Sequence, residues 1–124
     1  MIHHCIEHLP FEACGLLSGK EGKIDTLWKM DNVERSATAF SMDEKQIRCI
    51  FRMMEKREET LTGIYHSHPT GIPYPSVNDI VNHHYPKAAY FIISLAYEKP
   101  LVKCYSIQNG KVTPLTVQVI KSAI

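Results

Sequence analysis

Two histidines separated by one residue, His66 and His68, stand in the segment Tyr65-His66-Ser67-His68-Pro69. In an extended strand, residues i and i+2 share a face, so this spacing presents two imidazoles side by side. Two such imidazoles are half of a transition-metal site. Residues 69–75 (PTGIPYP) carry three prolines and a glycine, which makes them a loop of restricted backbone freedom. Ser76-Val77-Asn78-Asp79 then opens a short helix. Its Asp79 lies in the first turn, where a carboxylate is electrostatically favoured. If the loop folds that turn back onto the strand end, Asp79 is a third ligand. His, His and Asp would leave the fourth tetrahedral position of a zinc ion to water, as in catalytic rather than structural sites.

Zinc lowers the pKa of such a water toward ~7, and a positioned carboxylate then takes the proton and passes it to a leaving amine. The local motif holds no glutamate. Glu12, in Pro10-Phe11-Glu12-Ala13-Cys14-Gly15, stands at the head of an apolar run; burial there raises a carboxyl pKa and suits a proton shuttle. The Ser76 hydroxyl is placed to stabilise an oxyanion. Each feature alone has an ordinary reading. A His-x-His pair is usually surface or core, Ser-x-x-Asp is usually a helix cap, and a glutamate before a strand is usually half-exposed. Their coincidence around one proline-rich loop favours the metal. No HExxH occurs, position 70 is not acidic as a metallo-β-lactamase pattern requires, and the chain is too short for an amidohydrolase barrel.

The elements that must position these groups follow from patterning. Residues 2–8 form a short helix ending at Pro10, and Ala13 to Ser18 is a buried strand closed by Gly19. Lys23 to Met30 alternates as a second strand, and residues 31–40 are a polar connection. Ser41 and Glu44 have capping-box spacing. Ile47, Ile50, Phe51 and Met54 then make one apolar helical stripe, in a helix predicted to reach about Glu59. Leu61 to Ser67 is the histidine-bearing strand, Ser76 to His84 a short helix capped by Ser76, and Ala89 to Tyr97 a central strand. Leu101 to Ile107 and Val112 to Ile120 close the chain as a hairpin about Asn109-Gly110. This order predicts an α/β (α+β) domain, a mixed sheet with helices on its faces.

Composition agrees with one domain over residues 1–124. Hydrophobic residues are 44% and charged residues 22%, ordinary for a globular domain. Fourteen Lys and Arg against thirteen Asp and Glu leave a net charge of +1, which gives no long-range attraction to nucleic acid or anionic membrane. No apolar run approaches the ~20 residues of a membrane span, and the start lacks a signal-peptide pattern. Cys5, Cys14, Cys49 and Cys104 form no CxxC, so the expected compartment is a reducing cytoplasm. Cys14 reads as a buried small hydrophobe, and Trp28, Phe51, Tyr90 and Phe91 as core or strand-face residues. His3, His4 and His8 read as solvated on a frayed helix. His83, four residues after Asp79, reads as a surface histidine, with support of the carboxylate as its alternative role; His84 is similar.

His66-Ser67-His68, seven residues, Ser76, two residues and Asp79, with an upstream glutamate, resembles the JAMM signature of MPN-domain zinc peptidases. Residues 10–19 (PFEACGLLSG) resemble that family's first block, residues 63–69 (GIYHSHP) its second, and residues 90–95 (YFIISL) the strand that follows. The resemblance covers roughly residues 5–110. It implies a cytidine-deaminase-like MPN fold, one catalytic Zn²⁺ on His66, His68 and Asp79, Glu12 as general acid/base, and Ser76 at the oxyanion. It also implies cleavage of peptide or isopeptide bonds at the tail of a ubiquitin-like or sulfur-carrier protein. Two alternatives stand beside it: a non-enzymatic MPN-type scaffold, and a hydrolase of other small peptides or amides. The family's usual strand before the first helix has no counterpart here, which leaves a sheet edge and favours a homodimer.

Overall fold

The computed structural model describes residues 1–82 and 84–119. Helix α1 (Ile2–Glu7) precedes strands β1 (Cys14–Gly19) and β2 (Thr26–Met30). Helix α2 (Glu44–Lys56) follows, then β3 (Thr60–His68), α3 (Val77–Val81), β4 (Ala89–Ser94), β5 (Leu101–Gln108) and β6 (Lys111–Leu115). The strands form one mixed sheet in the order β2-β1-β3-β4-β5-β6. Neighbours are antiparallel except β3 and β4, which run parallel through the α3 crossover. This is the expected α+β architecture.

Both faces are covered, which explains why β1 is buried along its whole length instead of alternating. On one face Cys14, Leu16, Trp28, Ile64 and Tyr90 pack beneath α2, which contributes Met54, Ile47, Ile50 and Phe51. On the other, Leu17, Tyr65, Phe91 and Ile93 pack with Cys5 of α1. Leu16 pairs with Ile64 and Cys14 with His66. The period of two therefore turns Ile64, His66 and His68 toward the α2 side, and Tyr65 and Ser67 toward α1.

The second strand begins at Thr26, not Lys23. The chain spends residues 20–25 on a turn: Glu21 and Gly22 adopt positive φ, Lys23 N–H bonds Lys20 C=O, and the Asp25 carboxylate takes the Lys20 N–H. The predicted Ser41–Glu44 box is replaced by an Asp43 cap, whose carboxylate accepts from Gln46 N–H. Ser41 is unavailable because both its backbone groups are committed, the N–H to Asn32 Oδ1 and the C=O to Val33 N–H. The helix stops at Lys56, where Glu58 turns to positive φ. Strand β4 ends at Ser94, three residues before the expected Tyr97. The last strand covers Lys111–Leu115, and position 120, its predicted end, lies outside the described residues. Asn109 and Gly110 both take positive φ, as a tight two-residue hairpin requires.

His4 overturns the expectation of a solvated N-terminal cluster. It is buried, with Nδ1 2.6 Å from the Tyr65 hydroxyl and its ring edge-on to His8 at 4.5 Å. A buried tyrosine hydroxyl needs a partner, and α1 lies against the sheet so that His4 is that partner. Burial, with help from His8, lowers the His4 pKa to about 4, so the imidazole is neutral at physiological pH. His3 remains exposed beside Glu7.

Candidate metal centre and active site

β3 ends with His66 and His68 on one face, and α3 begins with a true capping box. Ser76 Oγ accepts from Asp79 N–H at 3.1 Å, and Ser76 N–H donates to Asp79 Oδ2 at 2.9 Å. The ordinary reading of Ser-x-x-Asp and the chemical one are therefore both present, because the cap aims the carboxylate. The same Oδ2 lies 3.0 Å from His66 Nε2 and 3.1 Å from His68 Nε2, and the two nitrogens are 3.1 Å apart.

The loop between strand and helix is pinned from three strands. His68 Nδ1 donates to Ile72 C=O at 2.8 Å, Ser94 Oγ to Gly71 C=O at 2.5 Å, and Tyr105 O–H to Pro73 C=O at 2.5 Å. The bond to Ile72 also fixes the tautomer: with the proton on Nδ1, the lone pair of His68 Nε2 points at the triangle. Phe40 stacks on the His66 ring with centroids 4.6 Å apart. Burial lowers the His66 pKa against the opposing hydrogen bond and charge of Asp79. For His68 burial acts in the same direction but is outweighed by Asp79, the Ile72 carbonyl and Glu12, so its pKa rises. Asp79 would be raised by burial, yet its bonds to both histidines hold it far below the usual carboxylate range.

Three donor atoms facing one another at 3.0–3.1 Å suit a small divalent cation. Tetrahedral bonds of about 2.0–2.1 Å put ligand atoms about 3.3 Å apart, so the triangle needs to open by only a few tenths of an ångström. Among the described residues, His66, His68 and Asp79 are the group of three or more metal-ligating side chains that converge in this way.

Glu12 lies just beyond β1. The pairings Cys14–His66 and Cys14–Met30, continued two residues along the chain, set Glu12 between His68 on one side and Asn32 on the other. The ladder is extended at that point by Ser67, whose N–H donates to Ala13 C=O at 3.0 Å and whose Oγ accepts Ala13 N–H at 2.8 Å. Glu12 is 3% exposed, and its Oε1 has no hydrogen-bond partner among the described residues. Burial pushes its pKa up to about 8; His68 opposes the shift, and Asp79 and Glu34 add to it. A carboxyl that titrates near neutrality, on the same face as the histidine pair, can both accept and return a proton. A cleft of about 780 Å³ opens from His66 and Asp79 between α2 and α3, lined by Phe40, Met42, Ile47 and Phe51.

The structure thus gathers His66, His68, Asp79 and Ser76 at one strand end, with Glu12 two residues before the adjoining strand β1. Cys14, two residues after Glu12, is a buried small side chain whose thiol is pushed up to about 12 by burial, far from a reactive thiolate. His83 lies outside the described residues. Asn32 and Phe40 escaped the sequence reading. Phe40, a lone aromatic in a polar connection, was the available signal; a single asparagine offered none.

A family model describing prokaryotic homologs of the JAB domain matches residues 1–108. The chain is 34% identical to the CysO-cysteine peptidase of Mycobacterium tuberculosis over 98% of its own length and 85% of that protein's. It is 30% identical to a desampylase of Haloferax volcanii over 68% of this chain and 63% of the relative. A solution structure from Desulfitobacterium hafniense aligns with TM-score 0.89 and 31% identity, over 98% of this chain and 87% of that one. A crystal structure of a JAB1/MPN domain protein from Archaeoglobus fulgidus aligns with TM-score 0.66 and 21% identity, over 97% of this chain and 90% of that one, a likeness of fold.

Proposed function

Since this chain belongs to the family of prokaryotic homologs of the JAB domain, we propose that it is a zinc-dependent peptidase or isopeptidase. Its substrate is a ubiquitin-like or sulfur-carrier protein, cut at the bond joining the carrier's C-terminal tail to an amino acid or protein. Relatives named for a carrier–cysteine bond, for desampylation and for cleaving carrier–protein conjugates support this substrate class. The observation that carries the reading is the convergence of His66 Nε2, His68 Nε2 and Asp79 Oδ2 beside a buried carboxyl of raised pKa.

His66, His68 and Asp79 would hold the ion. When bound there, zinc supplies Lewis acidity at the scissile carbonyl and acidifies the attacking water. Glu12, ionised before attack, takes the proton from that water and delivers it to the departing amine, whose leaving would otherwise be prohibitively slow. Ser76 spends Oγ as an acceptor for Asp79 N–H, but among the described residues its hydroxyl proton has no acceptor and can donate to the carbonyl oxygen as that oxygen gains charge. Nitrogen and carboxylate donors, without thiolate, suit zinc in a site that keeps an open position. An extended tail would enter along the cleft between α2 and α3. Its backbone groups would then find partners near the strand ends.

The described residues contain no helix long and apolar enough to cross a membrane, and all four cysteines are free, which accords with a reducing cytoplasm. Strands β2 and β6 form the sheet edges, and a homodimer through one of them is part of the same proposal. The test is turnover of a ubiquitin-like sulfur carrier fused to a short C-terminal extension. Zinc-loaded protein should release the extension and Glu12→Gln should not. A protein that binds zinc yet leaves every such fusion intact, while a relative cuts it, overturns the assignment.

A further inference from the structure

Glu12 lies outside the sheet proper, so something other than the regular ladder must fix it. Both of its backbone groups are taken by the connection between β2 and α2. Glu12 N–H donates to Ser36 C=O at 2.8 Å, and Glu12 C=O accepts from Asn32 Nδ2 at 2.9 Å. Asn32 then organises that connection from within. Its Nδ2 also donates to Ala39 C=O at 3.0 Å, and its Oδ1 accepts from Glu34 N–H and Ser41 N–H, each at 3.1 Å. A primary amide offers two donors and two acceptor lone pairs, and all four are used in a side chain that is 7% exposed. Residue 39 is the neighbour of Phe40, whose ring stacks on His66. One buried amide therefore ties the backbone of the proton carrier to the loop that braces a metal-ligating imidazole.

We propose that Asn32 is a positioning residue for the hydrolytic reaction, holding the Glu12 backbone and the 33–41 loop in register with the histidine pair. This rests on the functional reading above. Asn32 does not line the cleft, and among the described residues its hydrogen bonds go to Glu12, Glu34, Ala39 and Ser41 and to none of the three metal-ligating side chains, so its effect is to be found in kcat rather than in zinc content. Displacement of a catalytic group by about 1 Å can cost of order 10²-fold in rate, and the 2.9 Å bond to Glu12 is the restraint that Asn32 supplies.

The probe is the same carrier fusion, with zinc-loaded protein. Asn32→Ala removes all four bonds. Asn32→Asp keeps the acceptor side toward Glu34 and Ser41 and loses the two donated bonds, including that to Glu12. It serves as the independent variant if the alanine protein folds poorly. Both should lower kcat by roughly 10–100-fold, with KM within about threefold and one zinc retained per chain. In a double-mutant cycle with Glu12→Gln, the loss from Asn32→Asp should vanish, because a residue that acts through Glu12 has nothing left to position. Wild-type kcat in Asn32→Asp beside a strongly impaired Glu12→Gln overturns this inference alone. So do losses that add in the double variant, or a fall in zinc content that tracks the fall in rate. Wild-type turnover by Glu12→Gln would instead overturn the functional reading itself.

Discussion

Replacing Glu12 by glutamine should stabilise the metal-free fold at alkaline pH and silence the enzyme at once. The carboxyl is buried, its Oε1 lacks a partner, and its pKa rises from 4.5 to about 8. A folded-state pKa above the unfolded one means that the native state holds the proton more tightly. The stability this group contributes is complete below pH 4.5 and is lost as pH rises through about 8. At 1.36 kcal/mol per pH unit the full loss is about 4–5 kcal/mol, and solvent relaxation around the ionised carboxylate brings the expected value to about 2–4 kcal/mol. Glutamine has the same shape and stays neutral, so it escapes this loss. Urea titrations of chelated wild type and Glu12→Gln from pH 4 to pH 9 would give matching stabilities at the acid end. The variant should then gain steadily and lead by about 2–4 kcal/mol at the alkaline end. On the zinc-loaded proteins, the same substitution should cut turnover by about 10²–10⁴-fold. A stability difference that does not change with pH would refute the buried, proton-holding state of Glu12. Undiminished turnover would refute its role as proton carrier.

Other outcomes follow from the packing and the loop. A Cβ at Gly15 would lie 2.1 Å from the Tyr65 ring, and that ring is held by its bond to His4. Gly15→Ala should therefore destabilise by about 1–3 kcal/mol, read as a lower urea midpoint with unchanged slope. Tyr105→Phe deletes the hydroxyl that anchors Pro73 in the loop before α3. It should cost about 1 kcal/mol and weaken zinc retention in a chelator competition, while Glu12 is undisturbed. Zinc at a hundred times its dissociation constant should raise the unfolding free energy by about 2.7 kcal/mol, and Asp79→Ala should remove that gain in denaturant titrations.

Much of the site was legible because its spacings are local. The strand period of two puts His66 and His68 on one face, and Ser76 to Asp79 is one helical turn, so the candidate ligand set could be proposed without the fold. Glu12 was legible only as an oddity, a charge at the head of an apolar strand, and its closeness to His68 depends on a β1–β3 pairing across more than fifty residues of chain. Strand order was not encoded in any local signal. The capping assignment at Ser41 failed because Asn32, nine residues away, had claimed its N–H. His4 was misread because a hydroxyl sixty-one residues later, on Tyr65, needed a partner. In each case a distant hydrogen bond overrode a correct local preference.

On the proposed function, two imidazoles and one carboxylate grip a single divalent ion that the chemistry requires. The most direct measurement is a zinc titration of chelated protein, with bound metal and release of a carrier's C-terminal extension followed together. Wild type should saturate at one zinc per chain with activity rising in step, and His66→Ala, His68→Ala and Asp79→Ala should each lose both. Tight stoichiometric zinc in a variant carrying all three substitutions, or full cleavage by rigorously metal-free wild type, would rule out that function.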